Sequence, residues 1–229
     1  MFDLSKTKAV LWDLDDTLYS RVEAARKTFP GMFREHLYEN HSDGFINAAV
    51  AYMMTQVKRN SMVHEESFRA LLTKYPPDKP YVRENCLDYY YEHIVDFATP
   101  YAETMSIIKK LRENGVKNAI VTNIPVSRAA SQRRKIECLG IAPLFDAVVI
   151  SAEIGIHKPD RRIFDYAASL LGVPNESCVF VGDDPDSDIA GAVGADMTAV
   201  WLDIYGCDFA LAGHPRVNRV SSVKEYFAF

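Results

Sequence analysis

The chain is predicted to fold as an α/β protein, a doubly wound, Rossmann-like parallel sheet carrying an inserted helical bundle. Three observations predict this. Short apolar runs recur along the sequence, helical patterns fill most of the spaces between them, and one interval, from Asp13 to Asn118, is far longer than the rest and reads as helix nearly throughout.

The apolar runs are residues 9–12, 119–121, 147–150, 179–181 and 199–202. Each is continuous rather than alternating, as expected of a parallel strand covered on both faces. Helices are predicted over 102–114, where Met105, Ile108 and Leu111 recur at helical spacing before Gly115, and over 127–139, 161–171 and 188–193. The long interval cannot be a loop in a compact domain. Helices are predicted there at 22–38, 45–59, 65–75 and 82–95, interrupted at Pro76-Pro77 and ended at Thr99-Pro100. The organisation read from this is an α/β core domain from residues 1–19 and 98–229, with a helical cap domain at 20–97. Phe29, Phe33, Tyr38 and the run Tyr89-Tyr90-Tyr91 are expected to form chiefly the core of that helical domain.

Composition narrows the function. A chain of 229 residues that is 48% hydrophobic can bury a substantial core, which excludes disorder. A net charge of −5 supplies no basic field for nucleic acid or for an anionic membrane surface. An anionic partner must therefore be drawn by a local site, which favours a small ligand. Cys86, Cys138, Cys178 and Cys207 lie far apart without a C-x-x-C pair, so neither a zinc site nor a disulfide framework is indicated. No apolar run approaches the roughly 18 residues of a membrane span. A cytoplasmic protein, monomer or homodimer, is expected.

In open α/β sheets, ligands collect outside the carboxyl ends of the strands. Polar residues stand at four such ends: Asp13-Leu14-Asp15-Asp16-Thr17 after the first run, Thr122-Asn123 after the second, His157-Lys158-Pro159-Asp160 beyond the third, and Gly182-Asp183-Asp184 after the fourth. Asp13 and Asp15, two apart, face the same way in an extended segment. Carboxylates gathered in this way repel one another unless a hard divalent cation sits among them, and an all-oxygen site suits Mg²⁺. Lys158 adds positive charge, and Thr122 and Asn123 add neutral donors. Together they can hold the equatorial oxygens of a transferring phosphoryl group.

These residues, in this order and spacing, resemble the four motifs of the haloacid dehalogenase-like superfamily: Asp13 to Leu18, Val121-Thr122-Asn123, Lys158-Pro159-Asp160, and Val181-Gly182-Asp183-Asp184 with Asp188. The helical insertion after the first motif is similar to the cap of one large subgroup. The resemblance implies a magnesium-dependent phosphatase in which Asp13 is the nucleophile of an aspartyl-phosphate intermediate and Asp15 is the general acid and base. It implies that Asp13, the backbone carbonyl of Asp15, and Asp183 bind the metal, with Asp184 or Asp188 beside it, and that Thr122, Asn123 and Lys158 bind phosphate. The substrate implied is a small phosphorylated metabolite: a sugar phosphate, phosphoglycolate or a nucleoside monophosphate.

Other readings stand beside this one. Asp188 and Asp160 also suit helix caps, and His157 suits a loop. Tyr19, Ser20 and Arg21 are placed to reach a leaving group. A sugar phosphomutase would keep both Asp13 and Asp15, and a non-catalytic regulator would bind a phosphorylated ligand without turnover. A haloacid dehalogenase would lack Asp15.

Overall fold

The computed structural model describes residues 2–56 and 63–228. Its strands, β1 (Ala9–Trp12), β2 (Lys117–Thr122), β3 (Ala147–Ile150), β4 (Cys178–Gly182), β5 (Thr198–Leu202) and β6 (Val217–Val220), form one sheet in the order β3-β2-β1-β4-β5-β6. Every pairing is parallel. The five apolar runs are the first five strands. β6 was not expected, because Asn218 and Arg219 interrupt its apolar pattern; it pairs only with β5 and stays partly exposed at the edge.

β1 lies at the centre, and its four residues have no exposed surface. Trp12 pairs with Ile120 of β2 on one side and with Val181 of β4 on the other. Beyond it, the Asp13 amide donates to the Val181 carbonyl at 2.9 Å. Successive strands run outward from β1 in one direction through β3 and in the other from β4 through β6. The carboxyl ends of β1 and β4 therefore meet at the point where strand order reverses, the place where such sheets open a crevice.

The chain divides into two compact units, Met1–Ser20 with Pro100–Phe229, and Arg21–Thr99. The second contains α1 (Arg21–His36), α2 (Asp43–Gln56), α3 (Glu65–Lys74) and α4 (Arg83–His93), followed by a 3-10 turn at Ile94–Phe97. Residues 57–59, predicted to continue α2, lie outside the described residues. Phe29, Phe33, Tyr38 and Phe68 are fully buried within this unit, and the Phe29 and Phe33 rings stack at 5.7 Å. Of the tyrosine run only Tyr90 is buried. Three consecutive helical residues point in directions about 100° apart, so they cannot all face one core.

The remaining helices belong to the first unit: α5 (Ala102–Glu113), α6 (Ala129–Cys138), α7 (Ser151–Ile154), α8 (Arg161–Leu171), α9 (Ala190–Gly194) and α10 (Val223–Tyr226). α8 shows how sequence sets such an element. Asp160 caps it by accepting from the Arg162 amide at 2.9 Å, Ile163, Phe164, Ala167, Ala168 and Leu171 bury one stripe, and Gly172 ends it at φ 66°. The helix predicted at 188–193 is instead a π-helical turn at Pro185–Ile189 running into α9, which places Asp188 inside the turn. Among the described residues, no helix is long and apolar enough to cross a membrane.

α9 packs against α8 at Gly191, where an added Cβ would meet the Phe164 ring and come within 3.0 Å of the Pro159 Cα. Gly191→Ala is expected to destabilise the protein by about 1–3 kcal/mol through overpacking, read as a lower midpoint in urea at unchanged slope. Burial pushes the thiols of Cys86 and Cys178 up to about 12, whereas Cys138 is exposed. Ellman's reagent at neutral pH is expected to titrate Cys138 in the native protein and to reach Cys86 and Cys178 only after unfolding; rapid labelling of either buried thiol would contradict the packing.

Candidate active site

The strand ends deliver their side chains to one place. Asp13 follows β1, Asp183 follows β4, and Asp188 comes from the π-helical turn after it. One carboxylate oxygen from each lies within 4.8 Å of the others, and all three residues are buried. Into this group runs Lys158, itself 5% exposed. Its Nζ lies 2.5 Å from Asp13 Oδ1 and 2.7 Å from Asp188 Oδ1, and it donates to the Val121 carbonyl at 2.9 Å.

Backbone and neighbouring side chains hold these groups in place. Gly182, the last residue of β4, has no Cβ where one would overlap the Asp188 carboxylate, so the turn can fold back against the strand. The Trp201 indole donates to the Asp183 carbonyl at 3.2 Å, and the Asp184 amide donates to Asp188 Oδ2 at 3.2 Å. Asn123 Nδ2 donates to the Lys158 carbonyl and Asn123 Oδ1 accepts from the Lys158 amide, each at 2.9 Å. This reciprocal pair aims the lysine, with the Asn123 side-chain amide engaged on the Lys158 backbone. Asp184 stands beside this group. Its carboxylate accepts from the Asp186 amide at 2.9 Å and the Ser187 amide at 3.4 Å, capping the turn, and it is not one of the three that cluster.

The electrostatics follow from crowding without water. Burial pushes the Asp13 carboxyl up to about 7, against the pull of Lys158, and Asp188 and Asp15 add to the rise. Burial likewise raises Asp188. Burial alone would lower the Lys158 ammonium, yet Asp13 and Asp188 beside it hold it well above its ordinary value. Three carboxylates face one ammonium, which leaves two negative charges uncompensated when all are ionised. An all-oxygen donor set with that deficit fits a hard divalent cation.

Asp15 belongs to a second cluster at the same strand end. Its Oδ1 meets Lys135 Nζ at 2.9 Å and receives the Tyr19 hydroxyl, and its Oδ2 accepts from Gln132 Nε2 at 3.2 Å. Gln132 Nε2 also donates to Thr122 Oγ1 at 2.7 Å. Tyr19 thus holds Asp15. Gln132 and Lys135 escaped the sequence reading, although the signal was present: they lie three apart in the predicted helix, beside Ile136 on the face that buries.

The family model for haloacid dehalogenase-like hydrolases matches residues 7–196, from ahead of β1 to beyond α9. The chain belongs to the haloacid dehalogenase-like hydrolases. Within that family it is 35% identical to the glyceraldehyde 3-phosphate phosphatase of Methanopyrus kandleri over 198 residues, covering 84% of this chain and 82% of that one. It is 28% identical over 219 residues to the human N-acylneuraminate-9-phosphatase, covering 89% and 85%. Its fold is shared with the magnesium-bound crystal structure of the HAD-hydrolase YfnB from Bacillus subtilis, at a TM-score of 0.71, 19% identity and 96% coverage of both chains.

As in other haloacid dehalogenase-like hydrolases, a Rossmann-like core carries a cap inserted after the first strand, and the aspartate cluster is the machinery of a phosphatase. Gly182→Ala is expected to push Asp188 out of this cluster and weaken divalent-cation binding by about 10–100-fold, measured by calorimetry. The raised Asp13 carboxyl also fixes a pH dependence. With a folded pKa of about 7 against an ordinary value near 3.9, the metal-free protein gains stability from this group at low pH and loses it as pH rises through the interval between the two. A bound cation competes with that proton, so stabilisation of the melting temperature by MgCl₂ is expected to grow from pH 5 to pH 8; a flat or falling increment would show that Asp13 is not a ligand.

Proposed function

We propose that the protein is a magnesium-dependent phosphatase that hydrolyses a small phosphorylated metabolite through an aspartyl-phosphate on Asp13. The observation that carries this reading is the buried cluster of Asp13, Asp183 and Asp188 with Lys158 among them. Magnesium held by Asp13, Asp183, Asp188 and the Asp15 backbone carbonyl would offset the carboxylate charge and polarise the phosphoryl oxygens.

Asp13 attacks phosphorus, and the phosphorus–oxygen bond to the leaving group breaks. Asp15 gives its carboxyl proton to the departing alkoxide, so that an alcohol leaves and an acyl phosphate remains on Asp13. Water then attacks that phosphorus, Asp15 takes a proton from the water, and inorganic phosphate departs with both carboxyls restored. Lys158 and the Thr122 hydroxyl bind the equatorial oxygens, where charge is greatest as the bond breaks. Asn123 contributes by holding Lys158.

The substrate class supported best is a sugar or triose phosphate. The relatives named above are a glyceraldehyde 3-phosphate phosphatase and an N-acylneuraminate-9-phosphatase, one named for a triose phosphate and the other for a phosphorylated sugar acid, and each match covers most of this chain. Phosphate release should be measured from glyceraldehyde 3-phosphate, hexose phosphates, phosphoglycolate and nucleoside monophosphates, with magnesium and with a chelator. The expected result is magnesium-dependent release that Asp13→Asn abolishes and that Asp15→Asn lowers by about 10²–10⁴-fold. Release that persists in Asp13→Asn, or that ignores the chelator, would sink this mechanism.

A further inference from the structure

We infer that Lys135 and Gln132 of α6, together with Tyr19, are positioning residues for the acid–base carboxyl of Asp15, and that Gln132 couples this carboxyl to the phosphate-binding Thr122. This rests on the phosphatase reading above and extends it to residues outside the four sequence motifs.

Both oxygens of Asp15 are claimed, and from different directions. Lys135 and Tyr19 hold Oδ1, while the Gln132 amide holds Oδ2. The holders are themselves immobilised. Lys135 is 4% exposed, with its Nζ 5.5 Å from the centre of the Tyr19 ring, and Tyr19 and Gln132 have no exposed surface. A buried lysine and a buried glutamine on the face that α6 packs inward are poor packing residues, since each must be desolvated and neither fills space as an apolar side chain would. Gln132 Oε1 is moreover a buried acceptor without a partner among the described residues, an arrangement that packing alone does not favour.

The Gln132 amide nitrogen donates to Asp15 Oδ2 and also to Thr122 Oγ1 at 2.7 Å. One side chain thus sets the distance between the group that exchanges protons with the leaving oxygen and a group that holds the phosphoryl oxygens. A general acid works only within hydrogen-bond reach of the atom it protonates, and small displacements of positioned groups lower rates steeply. Loosening the clamp should therefore impair protonation of the leaving oxygen more than it impairs binding.

The leaving group reports this. An alkyl phosphate expels an alkoxide that needs the proton, whereas p-nitrophenyl phosphate expels a stable phenolate that does not. The value of kcat/KM, which covers the steps up to the first irreversible one, should be compared on p-nitrophenyl phosphate and on the alkyl monoester of the panel above that the native protein hydrolyses best. Tyr19→Phe and Lys135→Met are expected to lower kcat/KM on the alkyl ester by about 10–100-fold and on the aryl ester by less than about threefold, with Lys135→Arg restoring part of the loss. Equal losses on both esters, or losses confined to KM, would overturn the inference. Tyr19→Phe removes one hydroxyl and keeps the ring, so it carries the test alone if Lys135→Met does not fold. Asp15→Asn separates the two readings. If it retains native kcat/KM on the alkyl ester, the acid role itself is wrong; if it collapses while Tyr19→Phe and Lys135→Met do not, only the positioning role is wrong. Failure of the native protein to hydrolyse any monoester would remove both.

Discussion

Two carboxylates, Asp13 and Asp188, share the ammonium of Lys158 at 2.5 and 2.7 Å in a site almost closed to water. Much of the local structure serves this one arrangement. A buried lysine is tolerable only when paired and hydrogen-bonded, and removing one member of such a pair typically costs about 3–5 kcal/mol because the other is left charged and dry. Asn123 aims the lysine through its backbone, the Val121 carbonyl accepts from its ammonium, and Gly182 clears the path by which Asp188 reaches it. The same contacts that stabilise the fold thus assemble the charges that the chemistry needs.

The sheet explains why these groups can converge at all. Asp13 and Asp183 extend adjacent strands whose register is set by ordinary ladder hydrogen bonds, so their backbones meet at a fixed spacing. Lys158 and Asp188 arrive on turns, yet each is tied to a strand end, Lys158 through its backbone to Asn123 and Asp188 by its close fit under Gly182. Precision at the site is inherited from a core that would exist without it.

The parallel strands were legible in the sequence because a strand covered on both faces must be apolar without interruption, as Ala9–Trp12 is. β6 was not legible, since an edge strand need satisfy only one neighbour and can carry Asn218 and Arg219. Asp13, Lys158 and Asp183 could be named because each adjoins a strand end or a family motif. The places of Asp184 and Asp188 could not, because both belong to the turn at Pro185–Ile189 and its cap, whose π-helical winding the sequence does not mark. Gln132 and Lys135 stayed hidden for another reason: what they touch lies across a tertiary contact with Asp15, and periodicity marks the buried face of a helix without saying what covers it.

The position of β1 has a consequence for how the chain can change. Its two neighbours, β2 and β4, both come after the helical unit, so the middle of the sheet closes across the whole of Arg21–Thr99. The entropy of such a closure grows only as the logarithm of the connecting length. Chain can therefore be added to, removed from or exchanged within this one connection at small thermodynamic penalty, whereas a single residue inserted between Ala9 and Asp15 would shift the register of the central strand and turn its carboxylates away from their partners. Variation is cheap beside β1 and prohibited within it.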